Sequence, residues 1–582
     1  MKIKKIWLLP GIVTVLNLIS CSGGSGTDSA SATPPKAAYL NQAWSEQDRA
    51  DYYWTSQGSA LISYDIYLAL QLANSSELFS SAANADHMGL LLDDPDPKNN
   101  PDNLPIGVTK TVVSSGQFTG VYMGLSCAAC HTSQLQYQGK QIRIDGGVGN
   151  RFTVVPWLST LSDSLNATVS DQSRFQALLK TIQKSSAVDE ADLRRRLQED
   201  AAFVNNQINN IFRVVNQPGP GRMDALGSIH NTMAWVGTAN LRNLYSTTAP
   251  VKPPFLWNAP QSSWVQWSGV APNPLSRNIG ESLGVFARFD LSSNSTDQGL
   301  FDTTSDVRGL VKIENLLRRL APPKWPEAIF GALDQEKIKA GEKLYAESCS
   351  GCHASYPYRW TSPRGTSGKK FIDNKIISQS VVGTDNEQLA GVTFSSTIKI
   401  IVGSKLASVL GLSTEELSLN YQQAVQTNIL NKAVSKAGIS TASEEYDNIT
   451  SYTSKMSEGQ PPLGYKAAPR DGVWATAPFL HNASVPNLYE LLSPASERSK
   501  KFFITREFDP IKVGINTSVG KPSDFLLDTT LVGNSNAGHS FEAGSGRGIV
   551  GREFTPAERF ALIEYLKSIP NVEGRVTPYG GF

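Results

Sequence analysis

The sequence predicts a mainly α chain built as two similar parts, with long loops and a few short hairpins. Three observations carry this. A Cys-x-x-Cys-His run occurs twice, at Cys127–His131 and at Cys349–His353. The second copy lies between two segments of helical periodicity, Gln335 to Ser348 before it and a segment from Thr555 after it. At 582 residues the chain is also too long for one small core.

The N-terminus reads as a targeting segment. Lys2, Lys4 and Lys5 precede an apolar stretch from Ile6 to Ile19, too short for a comfortable membrane span. It ends in Leu18-Ile19-Ser20-Cys21, similar to a bacterial lipobox with Cys21 as the lipidated residue; a plain signal peptide with a chance cysteine is the alternative. Residues 1–20 are expected to be a lipoprotein signal peptide and residues 21–35 a Gly/Ser/Ala/Thr/Pro tether. The expected location is the cell envelope, lipid-anchored at the outer membrane and facing the periplasm or the surface, with membrane contact only through the acyl chains. The chain has 53 Lys and Arg against 52 Asp and Glu, and the first 20 residues hold three of the lysines. What remains is slightly acidic, with no basic field to hold nucleic acid.

Cysteine use is more telling. There are five, and apart from Cys21 all lie in the two repeated runs: Cys127, Cys130, Cys349 and Cys352. None is left over for a structural disulfide, which is unusual in an exported protein. Two cysteines three apart can each form a thioether to a haem vinyl group, and the next residue, His131 or His353, then ligates the iron. Zinc would need four ligands per site, and a redox dithiol does not need the histidine. Two covalently bound c-type haems are therefore expected.

From residue 36 to about 320 we expect the first haem domain. Its motif follows a turn-and-strand stretch (Gly116 to Ser126) rather than a helix, and Leu135 to Asp145 reads as a hairpin around Gly139. Phe175, Leu178, Leu179 and Ile182 share a helical face, as do Val204, Ile208, Ile211 and Phe212. The loop from Asp93 to Asn103 could hold calcium but lacks EF-hand spacing, and an exposed Asx/Pro loop is the plainer reading. Residues 321–332, opening with Ala321-Pro322-Pro323-Lys324-Trp325-Pro326, read as a stiff Pro-rich linker. Residues 333–582 then form a cytochrome c domain. Gly341 and Tyr345 lie on one face of its first helix, and Thr555-Pro556-Ala557-Glu558 starts its last. A glycine where such helices cross lets their backbones approach. A Ser/Thr-rich helical insertion occupies roughly 393–459.

The second axial ligand decides reactivity, because a closed haem passes electrons whereas an open one can bind peroxide or dioxygen. For the second haem the choices within its own domain are His539, His481 and Met456. His539 is preferred because its loop, Gly533 to Gly538, can approach a flat ring; His481 is the alternative, and Met456 sits in polar surroundings. For the first haem only His87 and His230 remain, and neither stands out, so an open or water-bound iron is expected. The aromatic stretch Phe255 to Trp267 suits a pocket wall or the space between the haems.

At these residues the chain resembles the di-haem cytochrome c peroxidase superfamily, which includes the enzyme that matures methylamine dehydrogenase and the rubber oxygenases, and it is most similar to the rubber-oxygenase branch. The resemblance rests on Gly124 to Thr132, Arg143-Ile-Asp145-Gly-Gly, Arg277-Asn278-Ile-Gly-Glu281, Pro322 to Pro326, Trp474 to Leu492 and Gly533 to His539. It implies a reactive first haem and a second haem that stores and relays electrons. It also implies that Pro272 to Glu281 overhangs the first haem, with Glu281 as a proton donor, against the plain reading of a salt bridge to Arg277. A tryptophan between the haems is implied too, with Trp257 and Trp235 as candidates. The chain departs from that branch at Ala271-Pro272-Asn273-Pro274, which offers no bulky aromatic, and at Ala483, where relatives have glycine. The expected function is an oxidoreductase taking peroxide or dioxygen and an unidentified reductant or substrate, with a redox partner protein as a further candidate; the alternative is an electron-transfer cytochrome with both irons six-coordinate.

Overall fold

Short strands bracket the first Cys-x-x-Cys-His run. Gly120–Leu125 is the middle strand of an antiparallel sheet, between Ile62–Ser63 and Val108–Val113. The chain then makes one helical turn, Cys127–Cys130, and enters the hairpin Thr132–Tyr137 and Lys140–Asp145. Ala38–Tyr39 adds to that hairpin in parallel. The computed structural model describes residues 36–148, 151–271, 274–292, 299–353, 358–363, 370–443, 445–446 and 463–569, without the side chains of 274–276. Cys21, Met456, Pro272 and Asn273 lie outside them.

The fold is mixed α/β, which corrects the mainly α expectation. The strands run only two to six residues, and several pair with partners far along the chain. Lys375–Ser378, for example, pairs with Gly464–Ala467. So short a run carries little local pattern, and its partner supplies the stabilisation.

Three helices, Val154–Ser170, Gln172–Ile182 and Glu190–Asn206, bury Trp157, Leu161, Phe175, Leu178, Leu193 and Leu197 in a core beside the first motif. The last of them runs on as a π-turn, Gln207–Ile211, which buries Ile211. In the C-terminal part, Gln335–Ser348 crosses Pro556–Ser568, which Thr555 and Glu558 start with a reciprocal capping box. A Cβ on Gly341 would lie 2.0 Å from the Ala561 carbonyl oxygen, so only glycine fits this crossing.

The described residues from Ala37 onward form one compact unit. A single apolar cluster takes Tyr52, Tyr53 and Trp257 from before the proline run and Tyr345, Trp474 and Leu562 from after it. The run is part of that cluster: Trp325 is buried edge-on to Trp474 (5.4 Å, 78°), and Trp474 Nε1 donates to the Pro323 carbonyl at 2.8 Å. The polar insertion also has an apolar face. Ser418–Lys436 buries Tyr421, Val425 and Ile429 with Ile279 and Leu283 of Pro274–Gly284, and so backs the helix that carries Arg277 and Glu281. No helix among the described residues is long and apolar enough to cross a membrane.

Candidate haem sites

Each motif histidine is oriented in the same way. His131 Nδ1 lies 2.8 Å from the Pro254 carbonyl and His353 Nδ1 lies 3.0 Å from the Ala468 carbonyl. A carbonyl can only accept, so both Nδ1 atoms carry the proton and each Nε2 keeps its lone pair for a metal. Both rings are held neutral, as ligation requires. Burial takes His131 down to about 4 and His353 well below the ordinary imidazole range, with Arg277 adding to the first shift and Arg470 and His539 to the second.

The backbone of each motif is anchored alike. The Tyr52 hydroxyl donates to the His131 carbonyl at 3.3 Å, and the Tyr345 hydroxyl to the His353 carbonyl at 3.2 Å. Tyr345 belongs to the helix that leads into the second motif. Tyr52 belongs to Glu46–Trp54, a helix from far upstream that packs on both Cys127–Cys130 and Val307–Arg319. A Cβ on Gly309 of that last helix would lie 2.0 Å from the Ser56 carbonyl oxygen, as one on Gly341 would from Ala561. The first motif thus has its helix pair after all, supplied by segments that no local reading connects to it.

The four motif cysteines are unbridged thiols. Burial pushes Cys127, Cys130 and Cys349 up to about 12, which keeps the free thiols protonated. Cys127 Sγ donates to Gln57 Oε1 at 3.2 Å.

Across from His353 stands His539. Their ring centres are 6.2 Å apart, with planes at 52°. Two imidazoles on one metal, each nitrogen about 2 Å from it and roughly 1 Å ahead of its ring centre, have centres about 6 Å apart. His539 Nδ1 is buried without a hydrogen-bond partner among the described residues, and burial first, then Arg498 and Arg470, takes the ring down to about 4. The residue is held at φ +44°, a strained left-handed conformation for a side chain with a Cβ. Arg498 maintains it: Nη1 donates to the carbonyls of Asn536 (2.6 Å) and Gly538 (2.8 Å), and Nη2 to that of His539 (2.8 Å). Gly538 passes so close to Gly383 that a Cβ would lie 2.3 Å from that residue's backbone. These features suit an iron between His353 and His539.

The remaining histidines have other surroundings. His481 is buried and stacks on Tyr465 (4.1 Å, 26°), while its carbonyl accepts from the Lys252 backbone N–H at 2.9 Å. His230 has both nitrogens occupied: Nε2 by the Asn243 carbonyl at 2.8 Å, Nδ1 by Ser418 Oγ at 3.0 Å and Gln422 Nε2 at 3.2 Å. His87 is exposed at the end of Ala82–His87.

Near the first motif, Arg277 and Glu281 lie one turn apart on Pro274–Gly284 with a 3.8 Å ion pair; Arg277 is also 3.7 Å from Glu314. Gln266 Nε2 donates to Glu281 Oε1 at 2.5 Å. Burial raises the Glu281 carboxyl against the pull of Arg277 and the Gln266 hydrogen bond, and the Glu281 charge in turn adds to the upward shift of both Cys127 and Cys130. Both the salt bridge and the position beside the first motif are therefore present together.

Trp257 is fully buried, stacks on Phe255 (4.9 Å, 21°) and donates from Nε1 to the Asp471 carbonyl at 2.8 Å. It lines a small cavity together with Pro254 and Ala468, whose carbonyls orient the two motif histidines. Trp235 is half-buried on Ala225–Thr238 against the N-terminal helical core. In the loop considered for calcium, Asp93 accepts from the Tyr39 hydroxyl, Asp102 from the Tyr64 hydroxyl, and Asp96 caps Lys98 and Asn99. Among the described residues no three His, Cys, Asp or Glu side chains gather as a metal cluster.

A family model described as RoxA-like, cytochrome c-like matches residues 464–503, the stretch holding Ala468, Asp471, His481 and Arg498. The uncharacterized protein y4iM of Sinorhizobium fredii is 25% identical to the chain over 54% of its length and 63% of its own. A second protein of that organism, y4iJ, also uncharacterized, is 31% identical over 92% of the chain and 93% of its own length. The chain therefore belongs to the family of y4iJ and carries a RoxA-like cytochrome c-like domain.

Proposed function

We propose that the protein is an exported di-haem c-type cytochrome oxidoreductase of the peroxidase or rubber-oxygenase type. It takes peroxide or dioxygen at the first haem and feeds electrons through the second, with an unidentified reductant and a redox partner protein completing the circuit. The observation that carries this is an asymmetry between two otherwise matching motifs. His353 faces His539 at 6.2 Å, whereas of the other two histidines before residue 321 His230 has both ring nitrogens hydrogen-bonded and His87 is exposed at a helix end.

Bound at these sites, haem c supplies one-electron redox chemistry and, where its second axial position is free, a place for a small oxidant. The chain's own residues do the rest. The carbonyls of Pro254 and Ala468 fix both imidazoles, Arg498 holds His539 in place, and Glu281, its carboxyl raised by burial, stands beside the first motif as the proton donor, oriented by Gln266 and Arg277. Trp257 occupies the wall between the two proximal sides and is the better placed of the two tryptophans to lie on the electron path. Cys21, once lipidated, anchors the protein in the outer membrane.

The resting spectrum tests the reading. One low-spin and one high-spin haem are expected, with carbon monoxide or cyanide binding to one haem per chain. Two low-spin haems that bind neither would make the protein an electron carrier. Turnover with peroxide and with polyisoprene then separates the two oxidant chemistries.

A further inference from the structure

The wall between the two motifs holds more cationic charge than the polypeptide balances. Lys466 lies on the strand Gly464–Ala467, and its side chain lines the same small cavity as Pro254, Trp257 and Ala468. Its backbone N–H donates to Trp267 at 2.7 Å, but its ammonium has no hydrogen bond or ion pair among the described residues. Arg470 is four residues on. Its Nε donates at 2.9 Å to the Ala468 carbonyl, the acceptor that also holds His353 Nδ1, so the guanidinium sits beside the second motif. Its terminal nitrogens have no partner among the described residues. The nearby carboxylate, Asp471, accepts from the Tyr358 hydroxyl at 2.7 Å and from Asn258 at 3.3 Å.

Both side chains are half-buried; cations set close together and partly withdrawn from water repel one another, and side chains placed this way normally meet an anion. Burial, with Arg277 and Arg470 close by, takes Lys466 down to about 7, and burial lowers Arg470 as well. Each haem brings two propionate carboxylates at its edge, which is the chemistry both side chains lack.

We propose that Lys466 and Arg470 form a cationic seat for haem propionates in the wall between the two haem motifs. The inference rests on the di-haem reading. It gives these residues a second effect: a positive charge near the iron disfavours the ferric state, so the seat raises the potential of the haem it serves.

The test uses the full-length holoprotein with Lys466→Met and Arg470→Gln, alongside the charge-keeping Lys466→Arg and Arg470→Lys. Covalent haem is counted first by intact mass; fewer than two haems in the unsubstituted protein defeats the di-haem reading itself. Resonance Raman propionate bending bands and the midpoint potentials of both haems follow. The charge-removing variants should shift the bands and lower at least one potential. The charge-keeping pair should stay near the parent, as should Arg552→Gln at an exposed ion pair. Two haems with bands and potentials unchanged in both charge-removing variants would overturn the proposal. So would charge-keeping variants that shift as far as the charge-removing ones, since that pattern reports packing alone.

Discussion

His353 and His539 face each other with ring centres 6.2 Å apart, both half-buried and both with pKa values lowered well below the ordinary imidazole range. His539→Ala should therefore open the second iron, adding a high-spin signal and raising its potential, because an imidazole donor to ferric iron is lost. His481→Gln should leave that haem low-spin, since this ring stacks on Tyr465. The reverse pattern in the electronic spectra would reassign the ligand to His481.

Arg498 bonds three carbonyls of the loop that presents His539. Arg498→Met leaves those carbonyls unpaired at about 1–3 kcal/mol each, so a loss of more than about 3 kcal/mol is expected. The low-spin signal of the second haem should melt at a lower temperature than the rest of the protein. A single melting transition at the parent temperature would show that the clamp contributes nothing.

Gly341 and Gly309 sit where backbones meet, each with a carbonyl oxygen 2.0 Å from where a Cβ would stand. Valine at either should cost at least about 1–3 kcal/mol by overpacking. Gly403→Ala, with open space around it, should stay within about 0.5 kcal/mol. Denaturant unfolding of the three variants checks the ordering, and equal stability of Gly309→Val and the parent would remove the helix pair assigned to the first motif.

These glycines also show what can be read from the chain alone. Gly341 is legible because the helix it lies on leads directly into the second motif and carries its own period. Gly309 is not, because its partner Ser56 belongs to a segment far upstream and nothing local marks the pairing. The hairpin at Gly139 is visible through alternation and turn chemistry, and His539 through its glycine-rich loop. The residues that orient the site, Pro254, Ala468 and Arg498, act through backbone carbonyls or on them. Such contacts leave no trace in residue type at one end of the bond, so only the fold reveals them. The strands escape a local reading for the same reason: their partners are remote.

His481 gives a pH dependence. Burial, then Lys252, sets it at about 3 in the folded chain against about 6.5 unfolded. The unfolded chain thus takes up the proton first, so the stability present above about pH 6.5 is lost as pH falls toward about 3, by up to about 1.4 kcal/mol per pH unit for this one group. His481→Gln should flatten the stability profile between about pH 6 and about pH 4. Parallel profiles for variant and parent would place the acid sensitivity elsewhere.

The claim that the two Cys-x-x-Cys-His runs each carry a covalent haem is tested most directly by the intact mass of the purified holoprotein, taken under denaturing conditions that strip any non-covalent cofactor. Two haem increments per chain are expected, falling to one when Cys127 and Cys130 are replaced by alanine and to one when Cys349 and Cys352 are. A mass equal to the polypeptide alone, or a haem count that either double replacement leaves unchanged, would contradict it.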